Sequence, residues 1–192
     1  MITNRFKILA LSVVSFTIAI QIFTLAEAET TAEKIQSGEN TVVAKTEKFW
    51  LIDKDAAVRI PVGWKITLGL TPPIQMVGEN GRKDIGFSVL KELPADVEVS
   101  TLEEYAALKV EVMKESFPDF APSEPKAGKI GELPASFFQG PGTVESVKGE
   151  LVCMAVQGKE SFYLLMGVLT KGSSGAGKTE LMKVIRSFQE KG

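Results

Sequence analysis

Residues 161–190, SFYLLMGVLTKGSSGAGKTELMKVIRSFQE, decide the reading of this 192-residue chain. The first part, residues 162–169, is an unbroken apolar run of strand length, which predicts a strand buried on both faces. Leu181, Val184, Ile185 and Phe188 then recur at helical spacing and predict a C-terminal helix with one apolar stripe. Between them, Gly172, Gly177, Lys178 and Thr179 satisfy the phosphate-loop pattern G-x-x-x-x-G-K-[ST]. Backbone N–H groups at a helix start favour an anion, and a lysine adds charge. Phe49-Trp50-Leu51-Ile52-Asp53 even supplies an apolar strand ending in aspartate, as magnesium-assisted nucleotide sites do.

The surrounding chain argues against a nucleotide site. That chemistry sits in a parallel sheet with further βα units, whereas short links join the strands here, and parallel crossovers need a dozen residues or more. The links are Glu132-Leu133-Pro134, Gly140-Pro141-Gly142 with its polar neighbours, and Gln157-Gly158-Lys159-Glu160. They connect strands predicted at 126–131, 135–139, 147–156 and 162–170. Upstream, strands are predicted at 49–52 and 56–60 around Asp53-Lys54-Asp55, with Trp64 packing back over the sheet. Leu70-Thr71-Pro72-Pro73 is a loop, and strands at 74–77 and 84–90 flank an Asn80-Gly81 hairpin turn. Residues 100–117 form the clearest helix. A Ser100/Glu103 capping box opens it, Leu102, Tyr105, Ala106, Val112 and Met113 make its apolar series, and Pro118 stops it. The fold class is α+β, a mostly antiparallel sheet with helices packed on it. The phosphate-loop match is read as a flexible strand-to-helix connection, and nucleotide hydrolysis is rejected.

The N-terminus predicts export. Arg5 and Lys7 precede the apolar residues 8–25, and Ala26-Glu27-Ala28 is a small-residue cleavage signal, which places the mature start at Glu29. An uncleaved membrane anchor facing the periplasm is the alternative, because the apolar stretch approaches spanning length. Residues 29–46 are polar and aperiodic and read as a linker, leaving a single domain at 47–192. The expected location is extracytoplasmic, periplasmic or secreted. The protein meets the membrane, if at all, only through that N-terminal segment.

Composition removes several chemistries. There is no histidine, which excludes Ser-His and Cys-His nucleophile pairs and histidine metal sites. The single cysteine, Cys153, lies in an apolar run and reads as an inert core thiol. The formal charge is −2. Loss of Arg5, Lys7 and Glu27 takes 22 basic and 24 acidic residues to 20 and 23, a net −3 with no footprint for nucleic acid. Ser88/Lys91 and Ser123/Lys126 fit Ser-x-x-Lys. The first pair falls on a strand, where residues three apart face opposite ways, and the second spans a proline. Glu103, Glu104, Asp53, Asp55 and Asp84 read as capping, surface or turn residues. No catalytic residue, metal ligand or cofactor is assigned. Phe49, Trp50, Phe137 and Phe138 read as core residues, with a ligand groove as the alternative.

Four motifs in order, Ile60-Pro61-Val62-Gly63-Trp64, Ser100-Thr101-Leu102-Glu103-Glu104-Tyr105, Gly131-Glu132-Leu133-Pro134-Ala135 and Ile185-Arg186-Ser187-Phe188, resemble the PsbP/DcrB-like superfamily. The likeness spans about residues 47–190, with one residue more than the family pattern at 131–135. It implies an α/β/α sandwich with helices on both sheet faces and residues 172–179 in the variable loop before the last helix. It supplies no activity, since members include photosystem extrinsic subunits, a Ran-binding nuclear factor and bacterial envelope proteins. The favoured function is a non-enzymatic envelope protein that binds or supports another envelope protein. A small-ligand carrier with a groove near 70–76 is the second reading, and a carboxylate-dependent hydrolase the third.

Overall fold

In the computed structural model, which describes residues 40–45, 48–53, 56–144, 146–173 and 175–190, the apolar run is the central strand of a large sheet. In chain order the strands are β1 (Asn40–Val43), β2 (Lys48–Asp53), β3 (Ala56–Ile60), β4 (Lys65–Leu68), β5 (Ile74–Glu79) and β6 (Ile85–Glu92). Then come a helical turn α1 (Pro94–Val97), helix α2 (Leu102–Ser116), β7 (Lys126–Ile130), β8 (Leu133–Val144), β9 (Val147–Gln157) and β10 (Phe162–Thr170). Helix α3 (Gly175–Arg186) and the two-residue β11 (Gln189–Glu190) complete the order. Eight strands form one sheet in the order β1-β4-β5-β6-β10-β9-β8-β7, and β11-β3-β2 form a second. Every pairing among them is antiparallel.

Period-two alternation explains why β10 reads as uniformly apolar. Tyr163, Leu165 and Leu169 face one core with Leu181, Val184 and Ile185 of α3 and with Val58 and Ile60 of β3. Phe162, Leu164, Met166 and Val168 face the other core with Leu102, Tyr105, Ala106 and Met113 of α2. A strand covered on both faces has no polar side to show, whatever the direction of its neighbours. Helices therefore flank the large sheet on both faces, and α3 shares its face with the small sheet. Trp64, 1 % exposed, packs into the α3-side core.

Several boundaries differ from those read in the sequence. Strand β1 pairs with β4 inside the stretch read as linker, so the sheet begins upstream of Glu47. Strand β8 does not stop at Gln139 but runs through Gly140-Pro141-Gly142 to Val144, paired with β9 throughout. The ladder tolerates Pro141 because its side of the strand faces away from β9. There the Pro141 carbonyl accepts from Ala121 N (3.1 Å), and Ser123 N and Thr143 N bond Gln139 O and Asp119 Oδ1. Gly140 is required at this crossing, since a Cβ would stand 2.1 Å from the Ala121 carbonyl oxygen.

The hairpin read at Asn80-Gly81 is present, with its first strand running past 77 to Glu79 and a turn that is not centred on those two residues. Residues 80–84 connect the strands around a buried Asn80, whose side-chain oxygen accepts from Asp84 N (3.1 Å) and Ile85 N (3.2 Å). The left-handed residue is Lys83 rather than Gly81. The capping box of α2 sits one residue later than expected, on Thr101 and Glu104. In that frame the Glu104 carboxylate accepts from both Ser100 N (2.9 Å) and Thr101 N (3.2 Å). Phe188 is buried as expected, but beyond the helix, where the chain turns into β11 against β3.

Candidate functional site

Two concavities meet at the start of α3, where the phosphate-loop match lies. Gly172, in the left-handed region at φ 113°, turns the chain out of β10. Ser173 then fastens the loop, its N–H to Thr170 O (2.9 Å) and its hydroxyl to Asp84 O (2.9 Å). Gly177 is buried beside Ile85. Lys178 Nζ donates to Glu150 Oε1 at 2.8 Å, and the Thr179 hydroxyl back-bonds to Gly175 O at 2.9 Å. The preceding strand, β10, lies between antiparallel β6 and β9. The matching residues thus lie on one strand-to-helix connection, with the lysine bonded to Glu150 of β9 and the threonine to the first turn of its own helix.

The first concavity, about 570 Å³, opens beside the β8–β9 hairpin and is lined by Asp119, Thr143, Lys148, Glu150, Lys171 and Lys178 among others. Asp119 accepts from the Thr143 hydroxyl and from Thr143 N (2.9 Å), and these bonds hold its carboxyl below the ordinary carboxylate range. The second, about 1280 Å³, runs along α3 opposite the β3–β4 turn. Arg59, Pro61 and Val62 form one side, and Lys178, Glu180, Met182, Lys183 and Arg186 the other. Glu180 accepts from Trp64 Nε1 (2.7 Å) and pairs with Arg82 (3.2 Å), which also pairs with Asp84. The two carboxylates hold the Arg82 guanidinium's pKa above its ordinary value, Asp84 most strongly. The carboxylates lining both concavities, Asp119, Glu150 and Glu180, are therefore each held by protein partners.

The other sequence candidates are dispersed. Ser88 is buried on the α2 side of β6, its hydroxyl without a hydrogen-bond partner among the described residues, while Lys91 lies on the opposite face of that strand. Ser123 accepts from Gln139 N. Cys153 is fully buried, its Sγ 3.3 Å from Met113 Sδ, and burial pushes its thiol far up. Phe138 belongs to the α2-side core and Phe137 packs against the other one. The side chains of Phe49, Trp50 and Asp53, the residue Asp55 and the Ala28/Glu29 cleavage point lie outside the described residues. Ile74 and Met76, expected to border a ligand groove, are buried in opposite cores. Among the described residues no group of three acidic or cysteine side chains is placed to hold a metal ion, and no helix is long and apolar enough to cross a membrane.

Two features escaped sequence reading. One is a buried network in which Lys109 Nζ and the Tyr105 hydroxyl each lie 2.6 Å from the Glu92 carboxylate. Its signal was present, because Lys109 falls within the apolar stripe of α2 at helical spacing. The other is the α3 groove, whose two walls come from residues more than a hundred positions apart.

Of the comparisons with known proteins, the one with solved structures bears on the architecture. No family model matches the chain, and no curated protein does. Among solved structures it is similar to cyanobacterial PsbP (CyanoP) from Synechocystis sp. PCC 6803, with TM-score 0.54 and 11% identity over 85% of this chain and 99% of that one. Weaker likenesses include PA94 of Pseudomonas aeruginosa (TM-score 0.48, 12% identity, 74% and 95% covered) and LpqN of Mycobacterium tuberculosis (0.46, 11%, 81% and 92%). The chain has the PsbP-like fold that its sequence motifs resemble.

Proposed function

We propose that this is an exported, envelope-associated protein that acts without catalysis, by binding another envelope protein. One observation carries the reading. The carboxylates bordering the concavities are committed to structural bonds, whereas the α3 groove presents Lys183, Arg186 and Val62 to solvent. Export is supported by the leader pattern of residues 1–28, with cleavage between Ala28 and Glu29. Residues 172–179 serve in this reading as a connection. The antiparallel surroundings of β10 and the pairing of Lys178 with Glu150 support that role.

Cell fractionation with N-terminal sequencing of the native protein tests the location. A start at Glu29 in the soluble extracytoplasmic fraction is expected, and an intact chain in the cytosol would refute export. Titration of the purified protein with ATP and magnesium tests the connection. No saturable binding is expected, and micromolar affinity would return residues 172–179 to a nucleotide role.

A further inference from the structure

The chain is acidic overall, yet the α3 groove is lined by Arg59, Lys178, Lys183 and Arg186 against one carboxylate, Glu180. That carboxylate is committed to Trp64 and Arg82, and Lys178 to Glu150. Lys183 and Arg186 stand three residues apart, hence on one strip of the helix, and both are exposed. Neither has an ion-pair partner among the described residues. Facing them across the groove, Val62 is 61% exposed, while Met182 lies half-buried on their own helix. A volume of about 1280 Å³ exceeds the roughly 300–1,000 Å³ of small-molecule pockets and suits an elongated occupant.

From this charge pattern we infer that the groove receives an acidic segment of a partner protein. Its carboxylates meet Lys183 and Arg186, and an apolar side chain packs on Val62 and Met182. The inference rests on the partner-binding reading above and names the chemistry of that partner. An anionic membrane is the poorer match, because the apolar contacts line a concavity rather than a ridge that enters headgroups.

The test places a photoreactive phenylalanine analogue at Val62 of the full-length chain in its native host, with a control at Lys129 on the sheet edge β7. Expected is an adduct at position 62 whose partner peptide, identified by mass spectrometry, is rich in Asp and Glu. A synthetic copy of that peptide should bind the purified protein and lose about tenfold in affinity with Lys183→Glu/Arg186→Glu. Both residues are exposed, so the double variant should fold, with a melting temperature only a few degrees lower because two carboxylates replace cations in the last turn of α3. An adduct at Lys129 alone overturns the groove assignment and leaves partner binding standing, while no adduct at either position overturns both. A captured peptide without acidic residues, or affinity unchanged in the double variant, overturns the charge argument. Binding to phosphatidylglycerol vesicles that the double variant loses, with no peptide captured, replaces the protein segment by a membrane surface.

Discussion

Lys109→Met probes how α2 is held to the sheet. Lys109 is 1% exposed and projects from the stripe that buries Leu102, Tyr105, Ala106 and Met113. Its Nζ lies 2.6 Å from Glu92, which is 7% exposed, and 5.2 Å from the Tyr105 ring centroid. That ring stacks on Phe162 at 4.7 Å. Burial pushes the Tyr105 hydroxyl well above its ordinary range, with the Glu92 charge adding to the shift, so the phenol remains a donor. Methionine preserves the stem volume but leaves the carboxylate buried with the phenol as its one remaining hydrogen-bond donor among those described. Breaking a buried pair from one side costs about 3–5 kcal/mol, against typical total stabilities of about 5–15 kcal/mol. For a chain of this size, at about 2–4 °C per kcal/mol, the melting temperature should fall about 10 °C. Urea unfolding followed by circular dichroism measures the loss. The double variant Lys109→Met/Glu92→Leu should recover much of it, minus about 1–3 kcal/mol for the abandoned Tyr105 hydroxyl. A single-variant loss below about 1 kcal/mol, as for an exposed pair, would refute the argument. So would losses that simply add in the double variant.

Gly140→Ala should destabilise by about 1–3 kcal/mol or more in denaturant unfolding, since the new Cβ meets backbone at 2.1 Å. Gly128→Ala, whose Cβ meets nothing within 4 Å, should be close to neutral. Glu104 has its carboxyl held below the ordinary value, chiefly by the Ser100 N–H. A depressed folded-state value contributes stability that is present above the unfolded value and lost as pH falls through the folded one. Glu104→Gln should therefore lower the melting temperature at neutral pH, with the difference closing as pH falls through the carboxylate range. A constant gap across that range would contradict the capping role. Cys153 should resist Ellman's reagent in the native protein and react stoichiometrically in denaturant, whereas rapid native labelling would contradict its burial.

The sequence was most legible where one physical rule acted alone. The run 162–169 was readable because sandwiching between two cores leaves no polar position, and α2 because its apolar stripe and caps agree. Legibility failed where tertiary partners replaced local ones. Gly140-Pro141-Gly142 looks like a turn, and becomes strand because residues 119–123 supply the bonds on its outer side. Asn80-Gly81 looks like the centre of a hairpin turn, and becomes the start of a connection over residues 80–84 because a buried amide satisfies the backbone instead. The capping box read at Ser100 and Glu103 moves one residue on, because the Glu104 carboxylate is the one that reaches back to the Ser100 and Thr101 N–H groups. The groove had no local signature at all, since Val62 and Lys183 become neighbours only when α3 folds back over β3.

Central strands buried on both faces leave edges and seams as the open surface, which narrows where the proposed partner would engage. At one sheet edge, β7 carries exposed Lys126 and Lys129, and edge lysines discourage a further strand from pairing there. At the other, β1 offers four residues, too few for a long added ladder. The seam between α3 and the β3–β4 turn is different. Its helix is fixed from below by Leu181, Val184 and Ile185 and from the side by Glu180 through Trp64. Its outer cations consequently project from a packed support, so a partner of the kind proposed would meet a pre-formed surface and lose little affinity to ordering it. Trp64→Phe removes that lateral bond while leaving Lys183 and Arg186 in place. If rigidity matters to recognition, the variant should bind an acidic segment more weakly than the parent, with the charge pattern intact.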